Sequence, residues 1–466
     1  MVTQEITFWL AAVMLVVLTV ESCVQLLNRN SFGITLVVYV TAFAWYFVDP
    51  FLNPEQYDYL PSYLLGQSYG QVLLFLLGFR IFAPIATRWI LRRPSSGIFD
   101  THLTPEQILR AAGSLWFILF LIGIYRMDGD VIGAVFPMDG RAGPTMWGRD
   151  ALASGASGFL ISSGGYVFNA VTAFLGALVF FQRSTFWRLL AGAMFAITLP
   201  YFFLAGARSH FLAAVVPFII TYLFYGRHPL VIRLTILAVA FVCLDQGFRF
   251  ITEFRGTGYR DILASENPYE LVDKDLPQTG LNMIQELCFV DVYLGTGGTS
   301  PAWGTKYFNE ILNFIPRAIW PSKPLLGIDY AKWRGFESQH DENGELGVNT
   351  TVSTGMIGGG VLNFGRIFGP IAAGILMAIW TGLLIRWWQQ RQSLLRLVLF
   401  MLGAGLTFNL GRDITLLVLW PAIFAYFFVR LAEIWTAGRF KQLPQVSSIT
   451  PSVAGPTQAV AGRLHS

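Results

Sequence analysis

Four short stretches of this chain hold cations where cations are costly. In "FFLAGARSHFLAAVV" two apolar runs meet across a Gly-Ala-Arg-Ser-His turn, so Arg208 and His210 sit at a membrane surface with little room to withdraw into a loop. "FNLGRDITLL" places Arg412 and Asp413 in a second hairpin of the same kind. "NFIPRAIWPSKP", residues 313–324, mixes Arg317, Trp320 and Lys323 with prolines that fix its path, and it is too polar to cross a bilayer. "TGMIGGGVLNFGRIFGP", residues 354–370, carries Asn363 and Arg366 behind Gly358, Gly359 and Gly360. Arginine offers a planar fork of donors that suits phosphate oxygens in pairs, and lysine adds a point charge. The chemistry these residues suit is the holding of a lipid-linked phosphate or diphosphate.

Each residue also has a plainer reading. Asp413 caps the following helix while Arg412 snorkels; Arg208 anchors a phospholipid headgroup; His210 is an interfacial histidine; Trp320 belongs to an aromatic belt. The glycines either permit tight helix packing or break the chain into a half-buried, re-entrant segment that takes Asn363 and Arg366 inside. Convergence favours the functional reading, because Arg208, Arg317, Lys323 and Arg412 fall on one side of the membrane. For a proton acceptor the candidates are His210, Glu286, Asp291 and His340, and the sequence prefers none of them. Neither a metal nor a cofactor is expected. Cys23 and Cys243 lie in apolar runs and Cys288 beside one, without CxxC spacing, which gives neither a disulfide framework nor a metal site.

These residues are positioned by membrane helices. Of 466 residues, 54% are hydrophobic and 13% charged, about half the charged share of a soluble protein. Runs long enough to cross a hydrocarbon core, about 20 residues, lie at 7–27, 33–49, 70–91, 108–125, 158–181, 187–206, 209–226, 229–250, 367–388, 394–411 and 414–434. The expected fold is an all-α polytopic membrane protein of about eleven spans. The first run lacks the flanks of a removable signal peptide and is expected to remain. Arg92/Arg93, Arg183/Arg188, Arg227/Arg233 and the basic 386–396 turn mark the cytoplasmic side. The organisation that follows is eight spans in 1–250, one large outward loop at 251–366, three spans in 367–435, and a disordered cytoplasmic tail at 436–466. The outward loop is rich in aromatic residues that can bury area against each other or the membrane. The net charge of +4 is spread along the chain, so nothing reads as a nucleic-acid footprint.

With these residues in view, the sequence resembles the Wzy-type O-antigen polymerases, the oligosaccharide repeat-unit polymerases. Four stretches carry the likeness in order: Gly206, Arg208 and Ser209; "IPRAIWPSKP" at 315–324; "LNFGRIFG" at 362–369; and "GRD" at 411–413. The resemblance implies a bacterial inner-membrane glycosyltransferase. It would move a growing glycan from undecaprenyl diphosphate onto a new lipid-linked repeat unit at the periplasmic face, building O-antigen or exopolysaccharide. The partners implied are the lipid-linked oligosaccharide, membrane lipid, a chain-length regulator and a flippase. O-antigen ligases share the layout, and a lipid-linked glycan flippase is the rival of another class. A flippase would carry polar groups along a central cavity, whereas here most spans are nearly free of charge.

On this reading Arg208, Arg317, Lys323 and Arg412 hold the diphosphate, and Trp320, Asn363 and Arg366 complete the substrate site. The orientation is testable in a cysteine-free background. A cysteine at position 340 should react with a membrane-impermeant thiol reagent in intact spheroplasts and one at position 390 should not, and the reverse pattern would overturn the outward site.

Overall fold

The computed structural model describes residues 5–92, 103–139, 143–148, 156–205, 208–254, 259–265, 282–312, 315, 320, 328–335 and 352–440. The chain is helical, and no β-strand occurs among the described residues. The first half contains α1 (Ile6–Leu27), α2 (Leu36–Tyr46), α3 (Val48–Leu52), α4 (Ser62–Leu91), α5 (Pro105–Arg126), α6 (Val131–Val135), α7 (Ala156–Leu178), α8 (Thr185–Leu204), α9 (Arg208–Tyr225) and α10 (Leu230–Phe254). Four short helices follow: α11 (Tyr259–Ala264), α12 (Met283–Gly295), α13 (Thr305–Leu312) and α14 (Ile328–Trp333). The chain then forms α15 (Gly355–Gln389), α16 (Leu394–Arg412) and α17 (Leu416–Phe440).

Eight of these helices are long and apolar enough to cross a membrane, and the protein is an all-α, multi-pass membrane protein. In hydrocarbon a helix satisfies its own backbone donors and acceptors, which is why apolar runs of this length take no other form. Ten of the eleven apolar runs fall on one helix each, and the run 33–49 is divided among a 3-10 turn, α2 and α3. Three of them fall on shorter apolar segments, Ser31–Tyr46, His210–Tyr225 and Leu230–Leu244. The causes are local. The first opens with a 3-10 turn and ends where Phe47 leaves helical geometry; the second starts directly after Arg208; the third loses its apolar character at Asp245, Arg249 and Glu253. At the far end α17 continues to Phe440, so helix extends into the expected 436–466 tail, whose residues 441–466 lie outside the described residues.

The centre of the bundle is the pairing of α4 with α15. A methyl group on Gly374 would stand 2.7 Å from the Phe79 amide nitrogen, and one on Gly78 would stand 3.2 Å from the Ile371 Cα. The two backbones are therefore in contact, as small residues allow when lipid supplies no hydrophobic drive between helices. At the other end of α16 and α17, Arg396 pairs with the fully buried Glu433 through two bonds of 2.5 and 2.6 Å, and Arg430 adds a third at 2.9 Å. A lone charge there would be expensive, and the pairing removes that cost.

Helix α15 is two arms. Gly365 takes φ 77° and ψ −178°, a conformation that residues bearing a Cβ avoid, and it separates a short arm, 355–364, from a long arm, 366–389. The arms fold back on each other. A Cβ on Gly360 would lie 2.2 Å from the Gly369 carbonyl oxygen, and one on Gly369 would lie 2.5 Å from the Val361 nitrogen. The short arm is buried over most of its length, including Asn363. The glycine-rich stretch thus forms a buried helical hairpin, and its glycines also serve close packing, so both sequence readings describe part of it.

The hairpin gives a sharp prediction. Gly360→Ala should lower the midpoint of thermal unfolding in detergent by the equivalent of about 1–3 kcal/mol or more, because the opposing atom is backbone and cannot rotate away. Gly70→Ala, where a methyl meets nothing within 4 Å, should leave the midpoint unchanged or raise it slightly.

Candidate functional site

The polar groups outside the membrane helices begin at α12. Asp291 is fully buried on this helix. Gln71 Nε2 on α4 donates to both of its oxygens at 2.9 Å, and Arg366 Nε donates to Oδ1 at 3.1 Å. Arg366 also donates through Nη2 to the Asp291 carbonyl at 2.7 Å. Burial pushes the Asp291 carboxyl above its ordinary range, and Gln71 and Arg366 pull it back. Three elements, α4, α12 and the tip of the hairpin, are tied together here. Five residues earlier on the same helix, Glu286 accepts from the Tyr330 hydroxyl at 2.9 Å and from Arg334 Nη2 at 2.9 Å. Arg334 in turn lies over the Phe289 ring at 3.6 Å.

The hairpin tip is stitched to the segment before α13. The Trp303 amide donates to the Asn363 carbonyl at 2.6 Å and the Ala302 amide to the Leu362 carbonyl at 3.1 Å. Asn363 donates its side-chain amide to the Gly359 carbonyl at 2.9 Å, and its side-chain oxygen accepts from the Tyr307 amide at 3.4 Å. This holds α13, "TKYFNEIL", as a two-faced helix. Phe308 and Ile311 are exposed on one face, and Tyr307 and Glu310, spaced i and i+3, are half-buried on the other.

That inner face meets the hairpin between α16 and α17. Glu310 Oε2 accepts from the Leu416 amide at 3.4 Å, at the start of α17 and 106 residues further along the chain. Asp413 ends α16 in an extended conformation, its own amide donating to the Asn409 carbonyl at 3.3 Å. Burial raises the Asp413 carboxyl from its ordinary 3.8 to about 7, against the pull of Arg412 and the Ile414 amide. Burial, then the nearby Asp413 charge, raises Glu310 from 4.5 to about 8. The Tyr307 hydroxyl is sealed from solvent and has no hydrogen-bond partner, and burial with the two neighbouring carboxylates holds it well above the usual phenol range. A cavity of about 210 Å³ is lined by Tyr166, His210, Leu406, Asn409 and Val418 among others, from α7, α9, α16 and α17.

The residues named from the sequence divide as follows. Arg412 ends α16, exposed, where a cation also suits the negative end of the helix dipole. His210 lines the cavity and stacks edge-on against Tyr166 at 5.8 Å. Asp291 and Arg366 form one ion pair, and Asn363 is bonded inside the hairpin, so the principal donors of Arg366 and both ends of the Asn363 amide are engaged within the protein. Glu286 stands in a separate cluster with Arg334 and Tyr330. Trp320 is half-buried. The backbone of Arg208 opens α9, and its side chain lies outside the described residues, as do Arg317, Lys323 and His340. Sequence reasoning missed Tyr307, Glu310, Gln71 and Arg334. Only the i, i+3 spacing of Tyr307 and Glu310 against Phe308 and Ile311 carried a signal.

Among the described residues no three His, Cys, Asp or Glu side chains come together around one point. The chain matches no protein-family model, and neither a curated protein nor a solved structure is significantly similar to it. The two raised carboxyls make stability depend on pH in a definite direction. The folded state holds their protons more tightly than the unfolded chain, so their contribution is complete below about pH 4 and declines as pH rises toward about 7 to 8. Across that window Asp413→Asn and Glu310→Gln should each flatten the fall of the melting temperature seen for the wild-type protein in detergent.

Proposed function

We propose that the protein polymerises lipid-linked oligosaccharide repeat units, transferring a glycan from a polyprenyl diphosphate to the hydroxyl of a second lipid-linked unit at the outer face. The observation that carries this reading is the convergence at one end of the bundle. The start of α9 at Arg208, the His210 cavity, the Arg412–Asp413 hairpin and the inner face of α13 all meet there. Displacement at an anomeric carbon with a diphosphate leaving needs cations where negative charge develops, a group to take a proton, and access from the plane of the membrane. Arg412 at the exposed end of α16, with Arg208 opening α9 nearby, suits the first requirement. The exposed Trp303, Phe308 and Ile311 border the site with apolar surface that suits a polyprenyl chain. A flippase would need mobile charges along the bundle, and the buried charges at its other end, Arg396 and Glu433, are locked to each other.

Deletion of the gene separates the readings by gel analysis of surface polysaccharide. A single-repeat product supports a polymerase. Unsubstituted lipid core beside intact polymer marks a ligase, and lipid-linked units trapped on the inner face mark a flippase. The diphosphate grip has its own test. Lysine at Arg208, Arg317 or Arg412 keeps the charge but loses the paired donors, and each should slow polymer formation about 10²- to 10³-fold at equal membrane levels, as judged from loss of one preorganised donor. Wild-type ladders from all three lysine variants would show instead that the arginines anchor headgroups.

A further inference from the structure

We propose that the space beside Gly359 is a binding subsite for a sugar hydroxyl of the lipid-linked glycan, held by Tyr307, Thr354 and Asp413. The subsite rests on the transferase reading and deepens it by naming the part of the substrate that is held. A methyl on Gly359 would stand 3.6 Å from the Tyr307 hydroxyl, 3.7 Å from Asp413 Oδ1 and 3.7 Å from Thr354 Oγ1. Its three nearest neighbours are thus oxygens from three parts of the chain: α13, the end of α16 and the residue before α15. From Thr354 to Asn363 every residue is buried except Gly359, which is half-buried, so solvent reaches this part of the short arm there.

Packing does not require a glycine at this position. A methyl on Gly358 would press on Thr354 Cβ at 3.3 Å, and one on Gly360 would stand 2.2 Å from the Gly369 carbonyl oxygen. At Gly359 the contacts are at ordinary van der Waals distance and the backbone is helical, where alanine is the better former. Gly70 also has room for a methyl, but nothing faces it. Gly359 faces polar groups that the protein leaves incomplete. The Tyr307 hydroxyl has no hydrogen-bond partner, and the Thr354 side chain caps no amide of the helix it precedes. A buried hydroxyl left without a partner is costly unless a ligand completes it.

The three groups define the ligand they suit. A carboxylate accepts a hydrogen bond, while a phenol and an alcohol each donate or accept one. A sugar hydroxyl can donate to Asp413 and accept from Tyr307 or Thr354. A phosphate would meet the Asp413 charge, and a prenyl chain would leave all three oxygens unmet. Asp413 directly follows Arg412 in the chain, so on the transferase reading the subsite adjoins the diphosphate grip and fits the sugar next to it. No bond forms or breaks at this point; the subsite orients the glycan.

The test uses purified full-length protein in detergent and lipid-linked repeats extracted from a deletion strain, with the rate of polymer formation measured against repeat concentration. Gly359→Ala should lower kcat/KM about 10-fold or more by filling the space, while its melting temperature stays at or above that of the wild-type protein. Tyr307→Phe and Thr354→Val should each lower kcat/KM about 2- to 10-fold, the worth of one neutral hydrogen bond. In the Gly359→Ala background Tyr307→Phe should add little, because the methyl has already displaced the hydroxyl that both positions touch. Wild-type kcat/KM in a folded Gly359→Ala protein, or in Tyr307→Phe, overturns the subsite, and so do losses that multiply in the double variant. If Gly359→Ala fails to fold, Tyr307→Phe still decides, since it removes only an oxygen that no protein group binds. Wild-type activity that is lost in chelator and restored by Mg²⁺, with Gly359→Ala blind to both, gives the space to a cation and overturns the subsite as well. Absence of polymer with the wild-type protein defeats the transferase reading itself, an outcome distinct from a variant that polymerises like the wild type.

Discussion

The half of this protein that carries α12, α13 and the hairpin tip depends on one buried carboxylate. Asp291 has no solvent and no route to it, so its charge must be met by Gln71 from α4 and Arg366 from the hairpin tip. Removing one partner of such a group leaves an uncompensated charge, a loss of several kcal/mol. That penalty makes the arrangement specific. The tip of the hairpin can sit in one place relative to α12 and α4, and through the bonds from Trp303 and Ala302 the position of α13 follows. The placement of Glu310 against the Leu416 amide is thus inherited from an ion pair in which it takes no part.

The two ends of the bundle treat charge in opposite ways. At one end Arg396, Arg430 and Glu433 satisfy each other, with Glu433 fully buried and its two oxygens bonded by guanidinium groups. At the other, Arg412 is exposed, burial raises the carboxyls of Asp413 and Glu310, and the Tyr307 hydroxyl has no hydrogen-bond partner. Saturated ion pairs fix register, whereas incomplete buried polar groups are costly, and the contrast separates a saturated end from an unsaturated one.

Much of the scaffold was legible because hydrocarbon imposes a simple rule. Ten of the eleven apolar runs lie on one helix each, and the glycine-rich 354–370 stretch holds the break in α15, although it falls at Gly365 and not at Gly358–Gly360. Hydropathy could not show that three apolar segments are short, since that depended on local events at Phe47, Arg208 and Asp245. The candidate site was legible in part. Arg412 and Asp413 stood out as charges in a tight hairpin, and His210 as a polar group beside Arg208. Glu310 and Tyr307 did not, because an acid and a phenol on an eight-residue helix look like any amphipathic surface until tertiary contacts show which face is covered. The pairing of Asp291 with Arg366, 75 residues apart, was hidden for the same reason. Spacing reports on neighbours within one element, and this site is assembled from several.

The backbone contact between α4 and the long arm of α15 also bears on how the chain is made. Gly78 and Gly374 meet only after residue 374 of 466 has been made, since domains and helices emerge from the N-terminus onward. Until then the glycine face of α4 is bare, and Asp291 of α12 has Ser68 and Gln71 of α4 as partners but no arginine. Insertion of the first eight apolar runs therefore yields a set of helices without a centre. The bundle closes only once α15 and the two helices that follow it have joined the helices made before them.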